Sequence, residues 1–361
     1  MKTLRNRRKP VITAVAGTAA AVALSASLSG CGTADASESA VSADTTIEMI
    51  TAQQSSTFYL TMECGAAVEA RKLGVSLAVA GPAQDTAAEQ LPLVQGVIVG
   101  NPDALIISPA AGAAASLTAP ESGSGSSLTQ ALYVAQENDT KVVLADTSVA
   151  DGNIGASRIT ADNAAGGRIA ADNLGRMLAG KGTVAVIAAA DAGAPSAARI
   201  AAFRSQMAAR YPGVTMLATQ TAAPDAPGVA ASLVTGDLKA HSDLGGVLAL
   251  TQDTTQGAIT ALGQAHETGK VKLATFDASP FQMTGLTTGT IQLTVAQEPA
   301  AEGADAVDQA VNAVAGKKVA PYMSTPMIAI TPQNMNSDGI KPFIYDGTCT
   351  SSLRGFMTSG N

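Results

Sequence analysis

Residues Gly246–Gln264 read GVLALTQDTTQGAITALGQ. The apolar run 246–250 predicts a buried strand, and residues 254–265 have the spacing of apolar positions that is typical of a helix. The polar pair Gln252 and Asp253 stands at the junction between them. A short apolar strand that leads through polar residues into a helix is half of a βαβ unit, so this stretch predicts an α/β fold with a parallel sheet.

Two later stretches repeat the pattern. In LATFDASP (273–280) Asp277 directly follows a predicted strand, and in GTIQLTVAQEP (289–299) Gln297 ends one. Open parallel sheets bind ligands outside the carboxyl ends of their strands. These polar residues therefore predict a ligand site at one edge of the sheet.

The same alternation extends toward the N-terminus. Further strands are predicted at 46–51, 75–80, 104–107, 141–145, 183–188 and 214–219. Helices are predicted between them, and the pattern breaks at the Gly/Ser-rich stretch 116–127 and restarts at about residue 163. Two successive runs of this kind predict two doubly wound parallel-sheet lobes that face each other across a cleft.

The N-terminus has a different composition. Basic residues between Lys2 and Lys9 precede an apolar run, 11–24, and Leu28-Ser29-Gly30-Cys31 follows. This order resembles the lipobox of bacterial lipoproteins. It implies that Cys31 is lipidated and that the rest of the chain is extracytoplasmic, anchored by lipid to the bacterial cell membrane. The alternative is an ordinary cleavable signal, cut near Ala36 or Ala40, with Cys31 incidental.

Composition excludes several classes of function. The first nine residues hold five of the 22 basic residues and none of the 29 acidic ones, so the remainder is more acidic than the overall net charge of −7 indicates. An acidic surface argues against nucleic acid as a partner. Two histidines, His241 and His266, are too few for a His-based metal site or for His-dependent nucleophilic catalysis. We expect no metal, no cofactor and no enzymatic activity.

Six segments together carry a family resemblance. They are the three stretches quoted above, TADNAAGGRIAA (160–171), SAARIAAF (196–203) and the pair Phe58-Tyr59 ahead of a helix. In this order they resemble periplasmic sugar-binding proteins of the ribose/galactose type, the type I periplasmic binding proteins that serve ABC importers. The resemblance covers residues 46 to 330 and implies two lobes joined by a three-crossing hinge.

These patterns predict five regions. A signal peptide (1–31) and a flexible spacer (32–44) precede an N-terminal lobe (45–158 plus 299–325), a C-terminal lobe (159–298 plus 326–335) and an extension (336–361). Crossings are expected near 157–160, 297–299 and 325–328. The extension is expected to pack on the body without chemistry of its own.

The resemblance also implies a set of ligand-binding residues. They are Phe58, Tyr59, Ser108, Asp146, Arg199, Gln252, Asp253, Asp277 and Gln297. A sugar needs flat aromatic rings for its apolar faces, and carboxylates, amides and arginine for its hydroxyls. The alternative readings are core packing for the aromatic pair, a turn or helix cap for Asp146, and a solvated charge for Arg199.

Two positions depart from the pattern of ribose-type relatives. Thr147 follows Asp146 where an arginine is frequent, and Ser108 stands where asparagine is frequent. Ribose is therefore not the default ligand, and autoinducer-like furanoses and cyclitols fit the same chemistry. Cys64 and Cys349 remain once Cys31 is assigned to lipid, either as a disulfide or as two thiols.

The resulting hypothesis is a monomeric, lipid-anchored solute-binding protein that captures a monosaccharide or similar polyol and delivers it to an ABC permease. Ligand sensing for a membrane receptor is the main alternative. A LacI-type regulator would need an N-terminal helix-turn-helix in place of the signal. A glycosidase would have to draw paired carboxylates from Asp146, Asp253 and Asp277.

Overall fold

A computed structural model describes residues 44–110, 127–190, 193–223, 226–349 and 357. Cys31, the signal peptide, spacer residues 32–43 and the Gly/Ser-rich stretch up to residue 126 lie outside these ranges. None of the helices in the described ranges combines the length and hydropathy needed to cross a bilayer.

Strands and helices alternate along the chain. The strands are β1 (Thr46–Ile50), β2 (Ser76–Ala80), β3 (Ala104–Ile107), β4 (Lys141–Ala145), β5 (Ser157–Ala161), β6 (Gly182–Ala189), β7 (Val214–Ala222), β8 (Leu244–Ala249), β9 (Lys272–Phe276), β10 (Leu293–Ala296), β11 (Tyr322–Thr325) and β12 (Ile328–Ile330). The helices are α1 (Thr57–Leu73), α2 (Ala87–Gly100), α3 (Leu128–Glu137), α4 (Asn163–Met177), α5 (Gly193–Arg210), α6 (Pro227–Ala240), α7 (Gln252–Gln264), α8 (Pro280–Thr288) and α9 (Pro299–Val314).

The strands form two six-stranded sheets. The first has the order β2-β1-β3-β4-β5-β11 and is parallel throughout. The second has the order β7-β6-β8-β9-β10-β12, and β12 alone in it runs antiparallel to its neighbour. The predicted fold class, two doubly wound sheets covered by helices, is confirmed.

Each sheet is buried on both faces. Along β3, Leu105 and Ile107 face one apolar cluster while Ala104 and Ile106 face another. The second sheet is likewise enclosed by two clusters. Alternate residues of a strand point to opposite faces, so a sheet covered on both sides requires the unbroken apolar runs that predicted most of these strands.

The chain passes between the sheets three times. Asp162 links β5 to α4, Gln297 and Glu298 link β10 to α9, and Pro326 and Met327 link β11 to β12. The first passage follows Ala161, whereas the expected boundary after residue 158 would cut through β5. That strand stays whole because it pairs with β4 on one side and with β11 on the other.

Candidate functional site

Asp146 and Asp277 end equivalent central strands of the two sheets, β4 and β9. Both have left-handed backbone conformations, with φ of 61° and 73°. Aspartate tolerates this region better than most residues. The Asp277 amide donates to Val295 O at 3.0 Å, which ties this turn to β10. The sharp turn after each strand places a carboxylate at the carboxyl edge of its sheet.

Tyr59 holds the first of these carboxylates. Its hydroxyl donates to Asp146 Oδ2 at 2.9 Å from the first turn of α1. Burial raises the pKa of Asp146 from 3.8 to about 6, although the Tyr59 hydrogen bond and the charge of Arg199 oppose the shift. The charge of Asp277 raises the Asp146 pKa further. The two sheets therefore bring their carboxylates within electrostatic reach of each other.

Arg199 enters the same space from α5. It is 7% exposed, so it is not the solvated helix charge of the alternative reading. Its Nε donates to Asn163 Oδ1 at 2.6 Å, and its Nη2 makes a long contact of 3.5 Å with Gln297 Oε1. The guanidinium carbon lies 4.6 Å from the centre of the Phe276 ring. These three contacts in different directions hold the planar guanidinium in place.

Asp146, Asp277 and Arg199, with the side chains that hold them, form what we call the cluster. Phe58 borders the cluster on the side of the first sheet. Its ring meets Tyr59 at 5.0 Å and Tyr345 at 5.4 Å between centroids, both edge to face. It packs against apolar clusters that belong to both sheets. Phe58 therefore packs in the core and also lies beside Tyr59, the partner of Asp146.

The other three predicted ligand residues follow β3 and β8. Ser108 is buried, and its hydroxyl contacts Met62 Sδ at 3.9 Å. Gln252 is exposed in the first turn of α7, and Asp253 beside it is partly exposed. Thr251 supplies the helix cap there through a capping box with Thr254. A ligand role for these three stays a prediction.

Two residues of the cluster were missed from the sequence. Glu302, in the first turn of α9, is fully buried; its Oε1 accepts from Thr325 Oγ1 at 3.0 Å, and its Oε2 has no hydrogen-bond partner among the described residues. Burial raises the pKa of Glu302 well above its usual value, and Asp146 adds to the rise. No sequence pattern marks this residue, because the helix around it has an ordinary apolar face.

Tyr345 is the second missed residue. It lies in the extension that was expected to lack chemistry, yet it is 1% exposed and its hydroxyl accepts a hydrogen bond from the Gln297 amide at 3.1 Å. The charge of Asp277 adds to a pKa of Tyr345 already raised by burial. In a chain with 6 Phe, 5 Tyr and no Trp, the aromatic residue itself was the available signal.

A cavity of about 280 Å³ opens beside the cluster. Asp146 and Thr147 line it from the first sheet, Asn163 and Ala198 from helices of the second, and Arg158 from β5. A larger hollow of about 490 Å³ lies at the opposite, amino edge of the second sheet, between α6 and α7. Asp146 is the candidate ligand residue that lines the smaller cavity, so this cavity adjoins the candidate site. Within the described ranges, no three metal-binding side chains converge on an ion site.

Comparison with known proteins agrees with this geometry. A model of the periplasmic binding protein domain matches residues 47–318. The ribose import binding protein of Escherichia coli (strain K12) is 29% identical over 300 residues, which cover 83% of this chain and 92% of that protein. The corresponding protein of Haemophilus influenzae is 27% identical over 282 residues, 78% of this chain and 89% of its own length.

Solved structures give the same picture. An ABC transporter solute-binding protein from Agrobacterium vitis, bound with α-D-tagatopyranose, is 28% identical with a TM-score of 0.73, covering 84% of this chain and 99% of that one. A carbohydrate transporter solute-binding protein from Agrobacterium radiobacter, in complex with D-arabinose, is 25% identical with a TM-score of 0.69, covering 83% and 99%. A periplasmic ribose ABC transporter protein from Conexibacter woesei shares the fold at 21% identity and a TM-score of 0.73, covering 84% and 98%.

Proposed function

The chain belongs to the periplasmic binding protein domain family, and from this premise we propose that it binds a monosaccharide or similar polyol outside the cytoplasm and delivers it to an ABC importer. The observation that carries the proposal is that the buried Asp146 carboxylate of the first sheet lies within electrostatic reach of Arg199 and Asp277 of the second. A ligand with several hydroxyl groups can donate to the carboxylates and accept from the guanidinium at the same time.

The remaining groups suit a sugar. The Phe58 ring offers an apolar face, and Gln297 offers an amide that both donates and accepts. Capture and release need no bond-breaking step, so we propose a transport role without catalysis.

Hinge closure is the proposed mechanism. The three passages at Asp162, Gln297–Glu298 and Pro326–Met327 allow the sheets to rotate as two lobes. Ligand stabilises the closed form because contacts with Asp146 and with Arg199 and Asp277 form together only when the lobes meet.

Lipidation of Cys31 belongs to the same proposal. Anchoring would hold the monomeric protein near its permease and so raise its effective concentration there. One acyl chain binds a membrane only marginally, so the anchor requires more than one. Mass spectrometry of the protein from membranes would detect the lipid, and an unmodified Cys31 would contradict this part.

The decisive experiment is a binding screen. We expect the purified protein to bind at least one of D-ribose, D-arabinose, D-allose, D-fucose and D-tagatose in calorimetry, and to become more compact in small-angle X-ray scattering. Hydrolysis of oligosaccharides would indicate an enzyme instead. Absence of binding across a broad carbohydrate panel would refute the sugar-binding proposal.

A further inference from the structure

The end of the described chain connects the two lobes a further time. After a 3-10 turn, Asp338–Phe343, residues 344–349 run from the second sheet to α1; we call them the C-terminal strap. On the second sheet, the Tyr345 amide donates to Ala278 O at 3.0 Å. On α1, the Gly347 amide donates to Thr61 Oγ1 at 3.0 Å, and Cys349 forms a disulfide with Cys64.

The strap is fitted to α1 at Gly347. Its φ of 61° lies in the left-handed region, which favours glycine. A Cβ at this position would lie 3.4 Å from Leu60 Cβ and 3.5 Å from Thr57 Cα. A Cβ at these distances would make ordinary van der Waals contacts, so it is the left-handed conformation that favours glycine where the strap meets the helix that carries Phe58 and Tyr59.

The strap delivers Tyr345 between candidate ligand residues of opposite lobes. The centroids of the Tyr345 and Phe58 rings lie 5.4 Å apart, and the Tyr345 hydroxyl accepts a hydrogen bond from the backbone amide of Gln297 at 3.1 Å. Gln297 lies in the second passage between the sheets, and its side chain contacts Arg199. The hydroxyl can still donate its own hydrogen. Tyr345 thus contacts both Phe58 and Gln297, and Gln297 in turn lies in the hinge and contacts the Arg199 guanidinium.

Resting on the proposed function, we propose that the C-terminal strap restrains opening of the lobes and that Tyr345 positions Gln297 and Phe58 to set ligand selectivity. The family match ends at residue 318, so the strap lies outside the matched domain. A fixed loop between the lobes lowers the number of open conformations and so pre-organises the site for a small ligand.

Two variants test the positioning role. Tyr345→Phe removes the hydroxyl and keeps the ring, and Tyr211→Phe is the matched control, because its hydroxyl donates to a backbone carbonyl, Asp172 O, at 3.1 Å away from the cluster. We expect Tyr345→Phe to weaken binding of the preferred sugar of the five-sugar panel about fivefold and to change the ratio of affinities within it. Equal affinities and ratios in the two variants would overturn the role of Tyr345.

The restraint is tested without ligand. We expect the double variant Cys64→Ser/Cys349→Ser to have a larger radius of gyration than wild type in the sugar-free state and the same radius when saturated with sugar. Gly347→Ala, which keeps the disulfide, should change the sugar-free radius in the same direction. Unchanged radii in both variants would refute the restraint, whereas a wild-type protein that binds none of the sugars would refute the proposed function alone.

Discussion

Asp146 and Asp277 show how a single residue can serve two requirements. Each ends a buried strand in the left-handed region, which aspartate tolerates, and each presents a carboxylate to the space between the sheets. A substitution at either position therefore tests two things at once, the backbone turn and the charge. Asparagine separates them, because it tolerates the same conformation and is nearly the same size.

The first prediction concerns Asp277. Asp277→Asn should keep the turn and weaken sugar binding by about 1.5–3 kcal/mol, the usual contribution of a hydrogen bond to a charged group. Asp277→Ala should abolish binding and also lower the Tm, because alanine is strained at φ 73°. Calorimetry and thermal unfolding measure the two effects.

Asp139 provides the control for this substitution. It also has a left-handed φ, 66°, but is exposed after the end of α3. Asp139→Asn should bind sugar like wild type. Wild-type affinity in Asp277→Asn as well would remove Asp277 from the site.

The second prediction concerns pH and Asp146. Burial raises its pKa in the folded protein from 3.8 to about 6, so protonation of this group stabilises the folded state. That stabilisation is complete below pH ~4 and is lost as the pH rises through about 6. Asp146→Asn, which stays neutral and can still accept from Tyr59, should therefore have a higher Tm than wild type at pH 7.5.

The gain in the sugar-free protein should be at most about 3 kcal/mol at pH 7.5 and should vanish at pH ~4. The same variant should bind sugar more weakly at pH 7.5, because the charged acceptor is lost. Thermal melts from pH 4 to 8 measure the trend. A Tm difference that is independent of pH would contradict the raised pKa.

At the scale of elements, two closely packed helix pairs, α4 with α5 and α9 with α1, position the site residues Arg199 and Glu302. A Cβ on Gly167 of α4 would lie 2.2 Å from the carbonyl oxygen of Arg199 in α5. A Cβ on Gly303 of α9 would lie 2.0 Å from Met62 O in α1. Gly167 lets α4 approach α5, which carries Arg199, and Gly303 lets α9, which carries Glu302, approach α1. The absence of a side chain on these two glycines therefore sets the positions of Arg199 and Glu302.

The third prediction follows from this packing. Gly167→Ala should separate α4 from α5, destabilise the protein by about 1–3 kcal/mol and weaken sugar binding by displacing Arg199. Gly236→Ala in α6 is the matched control, because nothing lies within 4 Å of its added Cβ. That change should stabilise the helix by up to about 1 kcal/mol. Chemical denaturation and calorimetry on both variants would show the contrast, and equal effects would contradict the packing argument.

The strands also differ in how readily sequence reveals them. The strands buried on both faces were predicted from their apolar runs. β5, β11 and β12 were not predicted: β5 (SRITA) and β11 (YMST) mix polar and apolar residues, and β12 (IAI) is apolar but only three residues long. β11 and β12 are the outermost strands at one end of each sheet, where burial is incomplete and the apolar signal is weak.

At the scale of the whole molecule, the chain is closed into a loop by its disulfide. Cys64 and Cys349 are separated by 285 residues, with Cα atoms 5.3 Å apart. Almost the entire described chain lies inside that loop. Cross-linking distant residues lowers the entropy of the unfolded chain and so raises the free energy of unfolding.

The fourth prediction is therefore a loss of global stability on reduction. Cys64→Ser/Cys349→Ser should lower the free energy of unfolding by about 2–5 kcal/mol, measured by urea denaturation. Adding a reductant to wild type should produce the same change, and adding it to the double variant should produce none. A wild-type protein insensitive to reductant under unfolding conditions would contradict the bond.

Sequence alone determined the fold class, the order of the buried strands along the chain and the polar residues that follow them. Apolar runs and the residues that follow them are local properties, and local properties can be read from a single chain. Asp146, Asp277 and Gln297 could be singled out in this way, and the family resemblance added Arg199 to the candidate set.

Tertiary structure decided which of those residues meet. Glu302 and Tyr345 join the cluster although no local pattern placed them there. The pairing of Cys64 with Cys349 and the place of the C-terminal strap depend on contacts between residues far apart in the chain. Such contacts arise from the packing of two sheets against one another, which a sequence pattern with a period of two or 3.6 residues does not contain.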